Sequence, residues 1–288
     1  MQKHNPITPR EDLDFGLDGD IPKYWFAGDP FKTRFFDAMS SIFPEGERFF
    51  ISCVRDFRDQ VTDPVLQQEI KDFIRQEGQH GIVHTQFNNR LKEQGIDVDM
   101  LASIEKKVFS LLRKYIPKKH NLAGTAAAEH MTAIMAHSFF TNKELLEHAD
   151  PRMRAMYAWH AMEEIEHKAV AFDVMQKIAK VWYPRRAMAM IEVTLGFTIH
   201  SLLVTRYMLK IDGFSRWERT KLWAKGLWWL YKPGGLYLPT FGHYIRYYKP
   251  GFHPWQMGQM DSYQLWLDAL NTTGNPVIAG NVLHAAGA

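Results

Sequence analysis

Residues 160–167 of the chain read HAMEEIEH, which places two histidines and three glutamates within eight positions. A helix turns by about 100° per residue, so His160, Glu164 and His167 project from the same face. Imidazole nitrogens and carboxylate oxygens at this spacing can bind divalent metal ions. The stretch therefore predicts one wall of a metal site, and the alternative is a solvated charged face.

A second motif elsewhere in the chain supports the metal site. HAMEEIEH contains a Glu-x-x-His pair, and Glu77 and His80 repeat that pair upstream. In helical bundles that bind two metal ions, two helices each supply such a pair and two others each supply one inward glutamate. Glu47 in PEGERFF and Glu129 in AAAEHMTA lie among apolar or small neighbours, where a lone buried carboxylate is costly. The order along the chain predicts a dinuclear site.

Four further residues compete for roles near this site. His160 is either a third histidine ligand or a core residue that supports the ligands from behind. His84, one turn after His80, is expected to support a ligand, with direct ligation as the alternative. Glu163 is expected either to support the ligands or to replace Glu164 as a ligand, although only Glu164 has the spacing of a Glu-x-x-His pair. Glu166 points away from the site face and is expected to be solvated or paired with a lysine.

Helix-start signals organise most of the chain. Helical patterning begins near Pro30, is predicted to break at Pro44, and then resumes. Asp-Pro steps at residues 63–64 and 150–151 each predict the start of another helix. Strand-like alternation is scarce in the front two thirds of the chain. The sequence therefore predicts an all-α fold, an antiparallel bundle with additional C-terminal helices.

Composition divides the chain into three predicted parts. Residues 1–30 form an irregular arm, residues 31–210 form the bundle with the metal site, and residues 211–288 form an aromatic, basic extension that packs on the bundle. Residues 174–260 carry 13 Lys and Arg against three acids, and seven of the nine tryptophans follow residue 180. This combination favours a membrane interface, a hydrophobic substrate lid or a subunit contact. A well-packed aromatic subdomain is the alternative.

One apolar segment, residues 188–209, is long enough to cross a membrane. Glu192, His200 and Arg206 interrupt it, and such residues are costly in hydrocarbon. A buried bundle helix is therefore the preferred interpretation.

The chain is expected to be cytoplasmic, with peripheral membrane association left open. Its N-terminus lacks the apolar run of a secretory signal, and its single cysteine, Cys53, fits a reducing compartment. One cysteine also excludes a multi-thiolate metal site. No nucleic-acid-binding motif is present, so nucleic acid is not an expected partner. A homo-oligomer is expected.

The segments that carry the predicted ligands resemble a known family. FPEGERFF, FRDQVTDPVLQQEIKDFIRQEGQHGIVH, AAAEHMTA and HAMEEIEHKAVAFDV resemble the bacterial family labelled "predicted metal-dependent hydrolase", over most of residues 20–250. The metal pattern also resembles ferritin-like di-iron proteins, which implies a ferritin-like bundle. His160, Glu164 and His167 reproduce the His-x-x-x-Glu-x-x-His spacing of p-aminobenzoate N-oxygenase, which implies a ligand role for His160. The similarity to that enzyme is confined to the site, so its arylamine substrate is not carried over.

These observations lead to three alternative functions. Four carboxylates with two or three imidazoles suit iron or manganese better than zinc, so two iron ions are expected, with manganese or a mixed pair as alternatives. The favoured function is a di-iron oxygenase or oxidase that uses O2 on a small hydrophobic substrate, with an external electron donor left open. The second is a hydrolase in which two metal ions activate water. The third is a non-enzymatic iron-binding protein.

Overall fold

The chain is helical throughout the part that the structure describes. The computed structural model covers residues 6–141, 145–258 and 261–285. Within these ranges no strand forms, and an isolated bridge joins Phe26 to Ala149. The all-α prediction is confirmed for these residues. The ferritin-like arrangement and the division into arm, bundle and extension stay predictions, and residues 1–5 of the arm lie outside the described ranges.

The helices follow one another with short connections. In chain order they are α1 (Pro30–Arg58), α2 (Pro64–Glu93), α3 (Val98–Tyr115), α4 (Lys118–Thr141), α5 (Pro151–His167), α6 (Val170–Asp173), α7 (Tyr183–Ile211), α8 (Arg216–Tyr231), α9 (Phe241–Arg246), α10 (Asp261–Thr273) and α11 (Pro276–Ala285). A π-helical turn, Val174–Ile178, follows α6. Two short 3-10 turns, Leu238–Thr240 and Pro254–Met257, precede α9 and α10.

Three of these helices begin with the same Asp-Pro device. Asp29, Asp63 and Asp150 each accept a hydrogen bond from a backbone N–H in the first turn of α1, α2 and α5, and proline follows each aspartate. The carboxylate satisfies a donor that has no partner inside the helix, and proline brings no N–H of its own. Losing such a cap costs about 1 kcal/mol. The predicted helix starts at residues 63–64 and 150–151 are confirmed.

Helix α1 runs without interruption through Pro44, so the predicted break there is wrong. Proline cannot donate to the carbonyl one turn earlier, which belongs to Ser40. The side-chain amide of Asn88, on α2, donates to that carbonyl at 3.0 Å instead. A neighbouring helix therefore satisfies the group that proline leaves unpaired, and the helix continues.

The site helices pack around two large apolar clusters. The first holds the buried rings of Trp25, Phe36 and Tyr157, and the second holds Phe73 and other side chains of α1, α2 and α4. Aromatic side chains from beyond residue 211 are buried in the same clusters, namely Trp229, Tyr247 and Trp266. Helices α1, α2, α4 and α5 thereby obtain a fixed relative position.

Helix α7 is a surface helix, contrary to the expectation of a buried one. It packs on α1 and α4 through one side, yet only 22% of its most apolar window is buried. Among the described residues it is the one helix long and apolar enough to cross a membrane, a test that core helices of soluble proteins also pass. Two of the polar residues that argued against a membrane-spanning helix pair with other helices. Glu192 lies 2.6 Å from His120, and His200 lies 3.1 Å from Glu105.

Candidate metal centre

Four helices bring the seven predicted ligands into one buried cluster. Helix α1 contributes one glutamate, α2 a Glu-x-x-His pair, α4 one glutamate, and α5 the second pair with an additional histidine. Each of these residues is at most 6% exposed. They are Glu47, Glu77, His80, Glu129, His160, Glu164 and His167.

One group of ligand atoms surrounds the ring of His167. Its Nε2 lies 3.2 Å from Glu77 Oε1, 3.2 Å from Glu129 Oε2 and 3.5 Å from Glu164 Oε2. Potential donor atoms of Glu77, Glu164 and His167 all lie within 4.8 Å of one another. This separation allows a single metal ion to contact all three residues.

A second group adjoins the first. His80 Nδ1 lies 3.5 Å from Glu77 Oε1 and 3.8 Å from Glu164 Oε1, and His160 Nε2 lies 2.9 Å from Glu164 Oε1. Donor atoms of His80, His160 and Glu164 lie within 4.8 Å of one another. Glu164 directs one oxygen toward each group, and Glu77 Oε1 approaches a histidine of each. The two groups therefore share carboxylates, an arrangement suited to two neighbouring ions.

The polar atoms at the centre of the cluster lack hydrogen-bond partners. They include both carboxylate oxygens of Glu47 and Glu77, Oε2 of Glu129, Nδ1 of His80 and Nε2 of His167. Buried polar atoms are nearly always hydrogen-bonded, because leaving them unpaired costs free energy. Here the unpaired atoms belong to five residues on four helices, and they converge on one interior region. The donor set fits a dinuclear metal cluster.

Hydrogen bonds behind the ligands fix the orientation of two histidine rings. His80 donates from Nε2 to Glu163 Oε2 at 3.1 Å, and His167 donates from Nδ1 to Gln76 Oε1 at 2.9 Å. A ring that donates from one nitrogen presents the lone pair of the other nitrogen. His80 Nδ1 and His167 Nε2 therefore face the centre as acceptors for metal. Of its two predicted roles, Glu163 occupies the supporting one.

A chain of hydrogen bonds orients His160 in the same way. The side-chain amide nitrogen of Asn88 donates to the backbone carbonyl of Ser40, which leaves Asn88 Oδ1 as the acceptor. Asn88 Oδ1 accepts from the Ser40 hydroxyl at 2.9 Å. Ser40 Oγ then accepts from His84 Nδ1 at 2.7 Å, and His84 Nε2 accepts from His160 Nδ1 at 2.7 Å. The lone pair of His160 Nε2 is left facing Glu164. His84 thus supports His160, although it also lies within reach of a metal ion shared with Glu47.

Glu166 is buried, so the prediction of a solvated or lysine-paired side chain is wrong. It accepts hydrogen bonds from Arg10 at 2.6 Å, the Tyr263 hydroxyl at 2.6 Å and the Gln76 amide at 2.7 Å. Arg10 also contacts Glu163 at 3.0 Å. The N-terminal arm carries Arg10 onto α5, which no local spacing indicates. Among these missed residues Gln76 had a signal, because it precedes His80 by one helical turn.

The electrostatics of the cluster call for cations. Burial raises the pKa of Glu47 well above its ordinary value and that of Glu129 to about 8, and the charge of Glu77 adds to both shifts. Burial alone would lower the pKa of His80, but its hydrogen bond to Glu163 and the negative charge of neighbouring Glu77 raise it to about 10. In the absence of metal, bound protons therefore reduce the negative charge that metal cations would otherwise neutralise. Metal binding to such ligands displaces protons.

An apolar cavity of about 550 Å³ leads from the cluster toward the surface. It lies between α1, α3, α4 and α7, and most of its wall is aliphatic or aromatic. Glu47 and Thr132 line it, and the Thr132 hydroxyl hydrogen-bonds to Glu164. The volume lies within the range of roughly 300–1,000 Å³ that is usual for small-molecule sites. The cavity gives an organic molecule access to the Glu47 side of the cluster.

Comparisons with known proteins agree with a metal-dependent role. Neither the curated proteins nor the solved structures gave a match, so the resemblances to ferritin-like di-iron proteins and to p-aminobenzoate N-oxygenase stay predictions. One family model, described as "Predicted metal-dependent hydrolase", matches residues 9–258. That span contains every residue of the cluster and also Arg10, which secures it from the N-terminal arm. The match covers most of the chain, and the chain therefore belongs to the family of predicted metal-dependent hydrolases.

Proposed function

We propose that the chain is a dinuclear metal enzyme that uses O2 to oxidise an apolar organic substrate. The observation that carries the proposal is the union of a buried, carboxylate-rich donor set with an apolar cavity. Two iron ions suit these donors, with manganese or a mixed pair as alternatives. When bound, such ions would supply the electrons with which O2 is activated, and an external donor would restore them.

The ligand roles follow from the two groups of atoms. Glu77 and Glu164 approach histidines of both groups and are the candidates to be shared between the ions. His167 and Glu129 would serve one ion. His80, His160 and Glu47 would serve the other. Four glutamates carry four negative charges and would neutralise two divalent ions.

The protein around the cluster would hold the substrate and exclude water. Phe43 and Met131 line the cavity beside Glu47, so the approach to the cluster is apolar on several sides. Gly81 leaves room for Glu47, because a Cβ at this position would lie 3.2 Å from Glu47 Oε2. Thr132 holds one oxygen of Glu164. Such an environment suits an unactivated hydrocarbon group, which needs positioning more than it needs polar recognition.

Hydrolysis is the second candidate, and the family description favours it. Two divalent ions would supply a nucleophile from water and polarise an ester or phosphoryl oxygen. The cavity provides few polar groups to bind the charged or polar part of such a substrate close to the cluster. Non-enzymatic iron binding is the third candidate. It gives no reason for an apolar cavity that reaches the ligands.

Anaerobic reconstitution with ferrous iron, followed by exposure to O2, tests the proposal. We expect two irons per chain by elemental analysis and rapid O2 consumption at an oxygen electrode. Glu164→Ala should lose both, whereas Glu93→Ala, which alters an exposed glutamate of α2, should lose neither. Stable binding of zinc or manganese with ester cleavage and no O2 consumption would instead establish the hydrolase. Metal binding without any turnover would leave the third candidate.

A further inference from the structure

Two helices on one side of the molecule expose rows of apolar side chains. The row on α3 and the row on α7 each recur at intervals of three or four residues, so each forms a continuous stripe. Their central members are between 45% and 57% exposed. These members are Ile104, Val108 and Leu111 on α3, and Ile191, Leu195 and Ile199 on α7. We call this surface the α3/α7 face.

The α3/α7 face borders the cavity that leads to the metal cluster. Ile104 and Val108 are half-exposed and also line the cavity, and so from α7 do Glu192 and Gly196. The cavity therefore reaches the α3 row and the residues of α7 that adjoin the α7 row. A molecule that rests on this face is directly connected with the interior of the cavity.

Positive charge borders the same face. Residues 100–120, which comprise most of α3 and the start of α4, carry six Lys and Arg against one acid, Glu105, which is buried. Arg113 and Lys118 of this set pair with Asp56 on α1, and four basic residues are left. On the other side of α7 a groove of about 1,120 Å³ is lined by Ile199 and Leu203 together with four basic residues and no acidic one. The basic residues are Arg206, Lys210, Arg216 and Arg219. Exposed tryptophans stand at the starts of α7 and α8, namely Trp182 and Trp217.

We propose that the α3/α7 face docks on the surface of an anionic lipid bilayer, and that the cavity takes an amphiphile with an apolar chain from that bilayer. Exposed apolar rows, flanking Lys and Arg, and tryptophans at the margin are the features by which interfacial helices bind anionic lipid. The choice of substrate rests on the proposed function, whereas the docking does not.

The charge on the face argues for a bilayer over a second copy of the chain. A symmetric contact would bring the same basic surface of two copies together. An anionic bilayer offers the opposite charge. Helix α7 would lie on the bilayer and not span it, because Ser201, Thr205 and Met208 are buried against the rest of the protein. Spanning would expose those contacts to lipid.

Vesicle flotation with the full-length, metal-loaded protein tests the docking. We expect the protein to float with vesicles of phosphatidylcholine and phosphatidylglycerol, and to remain behind with phosphatidylcholine alone. Leu195→Glu places a charge in the α7 row, outside the cavity and the cluster, and should weaken binding about tenfold or more, because one apolar side chain is no longer buried. Val65→Glu is the matched control: Val65 is 64% exposed on α2, away from the face, and its replacement should leave binding unchanged.

Failure of the docking can be told apart from failure of the proposed function. If the loaded protein does not float with anionic vesicles, or floats equally with neutral ones, the docking is overturned whatever the metal content. If it sediments as a dimer that Leu195→Glu dissociates, and it does not bind vesicles, the face is a contact between copies. If the wild-type protein binds anionic vesicles and Leu195→Glu does not, while both hold two metal ions, the docking is upheld. Metal content and O2 consumption are measured separately on the same samples.

Discussion

Helices α5 and α7 each lie in the environment that the composition of the other would suggest. The charged stretch HAMEEIEH in α5 is entirely buried, whereas only 22% of the most apolar window of α7 is buried. Burial in α5 is tolerated because each charged side chain has a partner or faces the candidate metal centre. Glu166, for example, is held by Arg10 and Tyr263. The composition of a helix predicts its burial only when the helix contacts an apolar core on one side and water on the other.

The two helices have different sources of unfavourable free energy. An unpaired carboxylate in a protein interior is costly, so the centre of the cluster requires cations or protons. A large exposed apolar surface is also unfavourable, and contiguous patches usually mark an interaction site. Each irregularity is explained by one of the two proposals. For α5 the proposed component is a pair of metal ions, and for α7 it is an anionic bilayer.

The largest expected effect comes from removing a ligand on α5. His167→Ala should abolish binding of at least one metal ion and eliminate O2 consumption, because His167 lies against three of the four glutamates. Even residues that only support ligands cost about 10- to 100-fold in affinity or activity when they are lost. Elemental analysis and an oxygen electrode provide the readouts. His148→Ala, at a side chain 74% exposed, is the control and should retain both metal and activity. Full metal content in His167→Ala would refute the assignment.

The second effect concerns the partner that permits burial of the charges on α5. Arg10→Ala leaves Glu163 and Glu166 buried without their cation, and breaking a buried pair in this way costs about 3–5 kcal/mol. Urea denaturation of the metal-free protein measures the loss. The matched control is Arg75→Ala, which breaks an exposed pair with Glu11 and should cost less than about 1 kcal/mol. Equal losses in the free energy of unfolding for the two variants would show that the buried Arg10 contacts stabilise the protein no more than an exposed ion pair does.

The third effect is that of Glu47→Leu on the free energy of unfolding, and its sign should reverse when metal is added. Both oxygens of Glu47 are buried and unpaired, so Glu47→Leu removes an unfavourable group from the metal-free protein. We expect the metal-free variant to be more stable than the metal-free wild type by about 1–3 kcal/mol. In saturating metal the order should invert, because bound metal stabilises the wild type more. Thermal unfolding with chelator and with metal gives both comparisons. A variant that is less stable in both conditions would mean that Glu47 serves packing alone.

The smallest effect on folding belongs to α7. Leu195→Glu should change the free energy of unfolding by less than about 0.5 kcal/mol, since Leu195 is 57% exposed and surface substitutions are usually this mild. The same unfolding experiment measures it. A loss of several kcal/mol would mean that the row on α7 is packed against something in solution, and the contrast with α5 would then weaken.

Local spacing in the sequence was sufficient to predict the candidate ligands and several helix starts. Glu-x-x-His spacing depends only on helix geometry, and an Asp-Pro cap depends only on adjacent residues. The all-α class follows from the same short-range patterns.

The errors all involve groups far apart in the chain. Asn88 on α2 allows α1 to pass Pro44, and Arg10 from the arm allows Glu166 to be buried. The exposure of α7 depends on which helices cover it. Periodicity within one helix contains no information on these neighbours, because packing between helices determines them.

The contacts of the arm with α5 also bear on the order of assembly. Thr8 donates from its backbone to Glu166 across 158 residues, and Arg10 reaches the same carboxylate across 156. Such distant pairs close a long loop and form only after nearer elements have met. During synthesis residues 8–10 are made well before their binding partner α5. We therefore expect α2 and α5 to join before the arm, so that Glu163 and Glu166 are without their Arg10 partner until residues 8–10 dock on them.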